Sequence, residues 1–312
     1  MTARQFMIAR LVRVYPLYCF AVALSAATAA NQIFFGKTDA SAFAMDGLFA
    51  VLFIPSPVKQ DLFPLNQPAW SLFLELAANA AFGLIGKRLN GRALAAILCP
   101  AALILTLTVC LGGLGFGKGS GAMDAGWEWP SIGAGLARVA YSFFVGVLVF
   151  RLWKFASPKW RMPPVAPAAA LCAILASCPP ARYQEAFDLT ATLLVFPALV
   201  FLGAACTPGR RAARLFAWIG GISYGVYVLQ APVYIYAHAL ARVIGGGFGG
   251  VSLFWAAMSV ILVVAVAAAA DDCIDRPVRR ELTKFLKRPR GPQRKPEPAV
   301  ADLPPGSLSP GA

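Results

Sequence analysis

The sequence predicts an all-α, polytopic transmembrane helical bundle of about eight spans with both termini cytoplasmic. Three observations carry this expectation. Of 312 residues, 59% are hydrophobic and only 13% charged, where a soluble domain carries about 25% charged residues. The apolar residues gather into runs long enough to cross a bilayer, and the basic residues gather on alternate connections between those runs.

A helical span needs about 20 mostly apolar residues. Eight stretches qualify, at approximately 13–30, 69–86, 93–113, 133–152, 164–179, 188–206, 216–240 and 251–270. The fifth, rich in alanine and proline, is the weakest. Leu48 to Ile54 is apolar but too short to cross, and Asp46 and Pro55 flank it, so it reads as a re-entrant or interfacial piece. Arg10 and Arg13 lead into a first span with no clear processing site at its far end, which argues against a cleaved signal peptide.

The positive-inside rule tests the count independently, because Lys and Arg accumulate in loops left in the cytoplasm. Alternate segments hold 22 of the 28 basic residues, nine of them between Arg276 and Lys295, and the opposite set holds six: Lys37, Lys59, Lys118, Arg138, Arg182 and Arg242. Both termini then face the cytoplasm, and an even number of spans follows. The same distribution accounts for the net charge of +14 without nucleic-acid binding. Two units follow: a membrane domain over 1–288 and a Pro-rich cytoplasmic tail over 289–312, too polar to offset its own ordering entropy. Asp271 to Arg288 is charged and suits a short helix against anionic headgroups.

Seven cysteines, odd in number and without a CxxC pair, lie mostly in apolar runs where cysteine acts as a small hydrophobe. With His238 as the one histidine, the sequence implies no metal site and no paired-histidine mechanism. Gly112 to Gly121 nearly spells a phosphate-binding loop. It carries Gly119 where Ser or Thr would hold magnesium, and no βαβ unit surrounds it. It reads as a flexible outer loop, as does Gly245 to Gly250.

The chemistry-bearing candidates lie in the spans. Glu75 is an ionisable side chain inside the second span, a costly placement that marks either a functional group facing a cavity or a carboxylate tying two helices. Ser71, Glu75 and Asn79 recur every four residues and share one helical face. In the seventh span Ser223, Tyr227, Gln230, Tyr234 and His238 fall on one stripe, with Pro232 expected to kink the helix. That stripe suits a polar passage or a sugar-sized ligand, or else interhelical hydrogen bonds with tyrosines at the interface. His238 closes it near the outer surface as an interfacial histidine or an acid/base group. Arg10 and Arg13, three residues apart at the edge of the first span, either clamp a phosphate or serve as topogenic charge.

Four fragments, taken in order, resemble the membrane acyltransferase-3 family, which includes the O-acetylases of O-antigen and exopolysaccharide. They are Arg13-Val14-Tyr15-Pro16-Leu17-Tyr18, Trp70-Ser71-Leu72-Phe73-Leu74-Glu75, Gly220-Gly221-Ile222-Ser223-Tyr224-Gly225-Val226-Tyr227 and Asp275-Arg276-Pro277. The resemblance runs from Ala9 to Arg280. It also implies a ten-helix protein whose first two helices, one bearing a catalytic histidine, are missing here, so the chain is expected to be N-terminally truncated, with its activity alone left open. Gln230 stands where the family often has histidine, and His238 does not align with the family's catalytic one.

What the resemblance implies is a multi-pass O-acyltransferase of the bacterial inner membrane. It would move an acyl group, acetyl foremost, from cytoplasmic acyl-CoA to a hydroxyl of a cell-surface glycan or glycolipid, by a polar route through the bilayer. Arg10 and Arg13 would meet the donor's phosphates, while Glu75, Ser71, Ser223 and Tyr227 would form the catalytic core, with no metal. Two rivals use the same residues differently: a transporter or flippase-like carrier for a lipid-linked sugar, and a non-catalytic membrane scaffold.

Overall fold

A computed structural model describes residues 2–34, 39–111, 125–156, 162–245 and 253–287. The expected outer loop at Gly112–Gly121 and the tail at 289–312 lie outside the described residues, as does the glycine-rich stretch after Gly245. Among the described residues the protein is a bundle of helices without strands. These are α1 (Ala3–Phe34), α2 (Ala40–Leu52), α3 (Ala69–Ile85), α4 (Gly91–Cys110), α5 (Ile132–Ala156), α6 (Val165–Ala176), α7 (Ala181–Thr190), α8 (Phe196–Ala204), α9 (Arg210–Gly245), α10 (Leu253–Ala270) and α11 (Arg276–Lys287). Large apolar side chains such as Phe150, Leu194, Val260 and Ile261 point outward, more than half exposed, where a soluble protein would place polar ones. They form the surface that lipid covers.

Among the described residues six helices are long and apolar enough to cross a bilayer, and they match six of the eight expected spans. The other two, 69–86 and 164–179, are the shorter helices α3 and α6. Several helices begin well before their hydropathy does. The first starts at Ala3 rather than at 13, because Arg4, Gln5 and Arg10 lower hydropathy yet are good helix formers. The sixth starts at Ala181, since α7 runs through a π turn at Ala191–Val195 into α8. A π turn widens the hydrogen-bond spacing of a helix, and Tyr141 of α5 donates its hydroxyl to the Leu193 carbonyl there at 2.7 Å.

Leu48–Leu52 turns out to be the end of α2, a 13-residue helix capped by Asp39. The Asp39 carboxylate accepts the Ser41 hydroxyl and the Ala42 N–H, bonds that hold it below its usual pKa. At the other end, Tyr18 of α1 donates to the Ala50 carbonyl at 2.5 Å and Tyr15 to that of Val51, satisfying acceptors that a helix terminus leaves open. Asp46 is buried and paired with Lys59 at 2.6 Å. The chain then turns at Phe53 in the left-handed region (φ 57°), packing its ring among Tyr18, Phe63 and Phe73.

Residues 54–68 are stitched to 125–131 as a cap over one end of the bundle. Leu62 donates to Trp127 at 3.0 Å and Trp129 to Gln60 at 2.9 Å through the backbone. The Trp129 indole reaches Ser56 at 2.7 Å and Gln60 meets Glu128 at 2.7 Å. Gly126 (φ +112°) touches Gly135 at the start of α5, and Trp70 lies against both.

The fourth fragment of the resemblance starts on the last residue of a π turn, Asp271–Asp275, and runs into α11, so that α10 and α11 make one helix from Phe254 to Leu286. Asp271 and Asp275 are buried and paired with Arg276 and Arg279, each at 2.8 Å. Here α11 packs against α1, leaving Val278, Leu282 and Phe285 on an open face. Pro232 lies within α9 without interrupting it. Having no N–H, it leaves the Val228 carbonyl without its helical donor, and buried Asn66 supplies one from Nδ2 at 3.3 Å.

A methyl group added at Gly126 would lie 2.6 Å from Gly135 Cα and 2.7 Å from the Trp70 ring, at a backbone angle that costs about 1–3 kcal/mol for other residues. Gly126→Ala should therefore lower the melting temperature in nanodiscs or detergent sharply. Gly47→Ala, in α2 with nothing within 4 Å of the new methyl, should leave it unchanged or raise it.

Candidate functional site

The helices α1, α3, α5 and α9 line an open hollow of about 650 Å³. The six residues that the sequence assigns to the donor site and the catalytic core line it: Arg10 and Arg13 from α1, Ser71 and Glu75 from α3, Ser223 and Tyr227 from α9. The antiparallel packing of α1 on α3 explains the convergence. A side chain at Gly83 would meet Ala3 and Phe6, so each step up α1 is a step back along α3. This sets the level of Arg10 and Arg13 beside Asn79 and Glu75. Because α1 starts at Ala3, Arg10 and Arg13 sit roughly 10 and 15 Å along the helix rather than at its edge. They are wall residues of the hollow.

The α3 face reads as its four-residue spacing requires, with Ser71, Glu75 and Asn79 all on the hollow. Ser71 Oγ and the Tyr227 hydroxyl are 2.6 Å apart, and both approach the Pro68 carbonyl, at 3.3 and 3.1 Å. One hydroxyl donates to the carbonyl and the other to its neighbour, which ties α9 to the first turn of α3. Asn79 is buried and donates to the Glu75 carbonyl at 2.8 Å, and its own Oδ1 has no hydrogen-bond donor among the described residues. The Glu75 carboxylate is exposed to the hollow and forms no ion pair with an arginine among the described residues. Ser223 turns its hydroxyl back to the Gly220 carbonyl at 2.9 Å. Tyr224, on the adjacent wall, donates to the Val14 carbonyl at 2.6 Å, joining the first and third fragments of the resemblance directly.

Two groups on this wall escape a reading of motifs alone. Arg138 and Ser142 of α5 line the hollow, four residues apart on one face. Arg138 lies over the Trp70 ring at 5.6 Å. Counted from the sequence as an outer-loop charge, it is a cation within the fourth expected span, and that position was the signal. The hollow thus carries three arginines against one carboxylate.

The rest of the α9 stripe goes elsewhere. Gln230, Tyr234 and His238 line a second groove, of about 630 Å³, between α9 and α10, together with Trp255 and Ser259. The stripe is one face of one helix, but α3 begins at Ala69 and supplies no wall beyond the Ser71–Tyr227 contact, so the neighbours change along it. The two hollows share no lining residue. His238 is exposed and stacked on Tyr234, ring centroids 6.1 Å apart. Among the described residues no three His, Cys, Asp or Glu side chains come together as a metal site.

Comparison with known proteins bears on this arrangement. The family model for the acyltransferase-3 acyltransferase domain matches residues 1–270. The chain belongs to the acyltransferase-3 family. A curated relative, "Protein 2 in picA locus" of Rhizobium radiobacter, is 33% identical over 113 residues, which is 32% of this chain and 59% of that protein. The chain thus spans about three-fifths of the length of that relative. No solved structure matches. The family fits a multi-pass membrane acyltransferase, and the acyltransferase-3 match takes in α1 to α10, every helix that walls the hollow.

The Ser71–Tyr227 bond is expected to be energetically coupled. Ser71→Ala and Tyr227→Phe should each destabilise the protein, and the double variant should lose less than the sum by about 0.5–1.5 kcal/mol. A double-mutant cycle of unfolding in mixed micelles measures the difference.

Proposed function

We propose that this chain carries the transfer of an acyl group, acetyl foremost, from a coenzyme A thioester to a hydroxyl of a cell-surface glycan or glycolipid, in the bacterial inner membrane. The observation that carries the reading is the shared hollow: three arginines, a carboxylate without an ion pair among the described residues, and a run of hydroxyls, all on the walls formed by four helices. Ionisable groups are expensive at membrane depth and persist where they face a cavity or a ligand. Guanidinium groups bind phosphate bidentately, which suits Arg10 and Arg13 to the donor.

In this reading the acceptor hydroxyl docks at Glu75, whose carboxylate accepts its hydrogen bond and orients the oxygen on the thioester carbonyl. Attack forms the ester C–O bond and breaks the C–S bond, and the hydroxyl proton ends on the departing thiolate. Ser71 and Tyr227 fix the wall beside the carboxylate, and Ser223 offers a further hydroxyl to the substrates. Residues 1–288 act as the transferase unit, both termini cytoplasmic, with α3 and α6 completing eight passes and 289–312 a cytoplasmic tail. No metal takes part in this scheme.

The test is O-acylation of surface polysaccharide, read by mass spectrometry in cells carrying the gene in its native context. Glu75→Gln should reduce transfer by about 100-fold or more, with the protein still present in the membrane. Arg10→Gln or Arg13→Gln should raise the KM for acyl-CoA about tenfold while changing kcat little. Unchanged acylation in Glu75→Gln would sink the reading and leave a carrier or a scaffold.

A further inference from the structure

Two of the three arginines of the hollow stack on rings near opposite ends of α3, and Arg13 follows Arg10 along α1. The Arg10 guanidinium lies over the Phe6 ring at 5.2 Å, and Phe6 in turn meets Phe82 near the end of α3, ring centroids 6.4 Å apart. Arg138 lies over Trp70 at the beginning of α3. Twelve residues separate Trp70 from Phe82, roughly 18 Å at 1.5 Å per residue, and Glu75 lies between them. The rings that hold Arg10 and Arg138 thus lie toward opposite ends of α3.

The Arg138 end is built rather than incidental. Trp70 is nearly buried, held where Gly126 and Gly135 pass within contact of its ring. A guanidinium stacked on a fixed indole is oriented before any ligand arrives, so less entropy is lost on binding. Arg138 and Ser142 share one face of α5, and the Ser142 hydroxyl donates to the Arg138 carbonyl at 2.8 Å.

We infer that Arg138 receives a negatively charged group of the acceptor, a phosphate or a carboxylate, so that the acceptor is an anionic glycan or glycolipid rather than a neutral one. The inference rests on the donor reading of Arg10 and Arg13. With the donor's phosphates at that end, its uncharged pantetheine arm runs toward Glu75, and nothing anionic of the donor reaches Trp70. The second cationic end then serves the second substrate, with its hydroxyl directed at Glu75.

The experiment uses the whole chain in nanodiscs of zwitterionic lipid and measures binding by calorimetry. The probes are farnesyl phosphate against farnesol, glucuronate against glucose, and coenzyme A. In at least one pair the anionic member should bind about tenfold tighter than its neutral partner. The pair that discriminates tells phosphate from carboxylate. That advantage should vanish in Arg138→Gln and largely survive in Arg138→Lys, with coenzyme A affinity within about twofold of wild type in both. Arg10→Gln combined with Arg13→Gln should show the reverse.

In the unsubstituted protein coenzyme A and the anionic probe should bind together, an arm that holds even if a variant fails to fold. Mutual exclusion, absence of discrimination in both pairs, or discrimination that survives Arg138→Gln overturns the inference. Failure of coenzyme A to bind at all overturns the donor reading instead, and the probe pairs still report on Arg138.

Discussion

Polar groups placed inside a lipid-embedded bundle must find a partner or share a hollow, and most of this architecture follows from that constraint. Tyrosine hydroxyls meet it one carbonyl at a time. Tyr18 and Tyr15 close the end of α2, Tyr224 reaches Val14, Tyr141 reaches the π turn before α8, and Tyr227 joins Ser71 over Pro68. Each bond crosses between helices, so satisfying the acceptor also fixes one helix against another. In a medium where apolar contacts between helices gain little over contacts with lipid tails, such bonds carry a large share of the specificity of packing.

The irregular places in the helices supply many of the acceptors. Pro232 strips the Val228 carbonyl of its helical donor, and Asn66 fills the gap, anchoring the segment that leads into α3. Two residues of α3 later, Trp70 wedges under Gly126 and Gly135, so the cap and the start of α5 are indexed to the same point. The first turn of α3 is therefore held from three sides, by α9, by the cap and by α5. Ser71 sits in that turn, and Glu75 follows one turn below it. The placement of the candidate carboxylate is a consequence of this bracing more than of its own contacts.

Much of this was legible in the sequence, and the remainder failed for identifiable reasons. The four-residue rhythm of Ser71, Glu75 and Asn79 fixes a helical face whatever packs against it, so the α3 wall was readable in advance. Helix starts were not. Hydropathy averages see Arg4, Arg10 and Arg182 as interruptions, while the backbone sees good helix formers and continues through them. Placing α1 from residue 13 put Arg10 and Arg13 at an edge, where the structure has them beside Glu75 and Asn79. Counting Arg138 with the loops hid a cation of the wall. The upper half of the α9 stripe was read correctly as a face and wrongly as one lining, because periodicity gives direction but not the identity of the neighbour. The cap joins residues more than sixty positions apart through backbone pairing without a repeat, and no local pattern announces it.

The acidic residues of the bundle divide in a way that bears on what Glu75 is for. Asp46, Asp271 and Asp275 are buried and each is matched with a cation, Lys59, Arg276 and Arg279 respectively. These are structural pairs, in which leaving either partner alone would strand a buried charge. Glu75 differs from all three. It shares its hollow with Arg10, Arg13 and Arg138, yet forms no ion pair with them among the described residues, and it stands exposed to the space they surround. A carboxylate locked onto a guanidinium would have its lone pairs occupied and its hold on a proton weakened. Held among cations but apart from them, it retains an acceptor for an incoming hydroxyl. That separation is what the proposed transfer requires of one small hollow, since the reading brings two substrates of different chemistry to it.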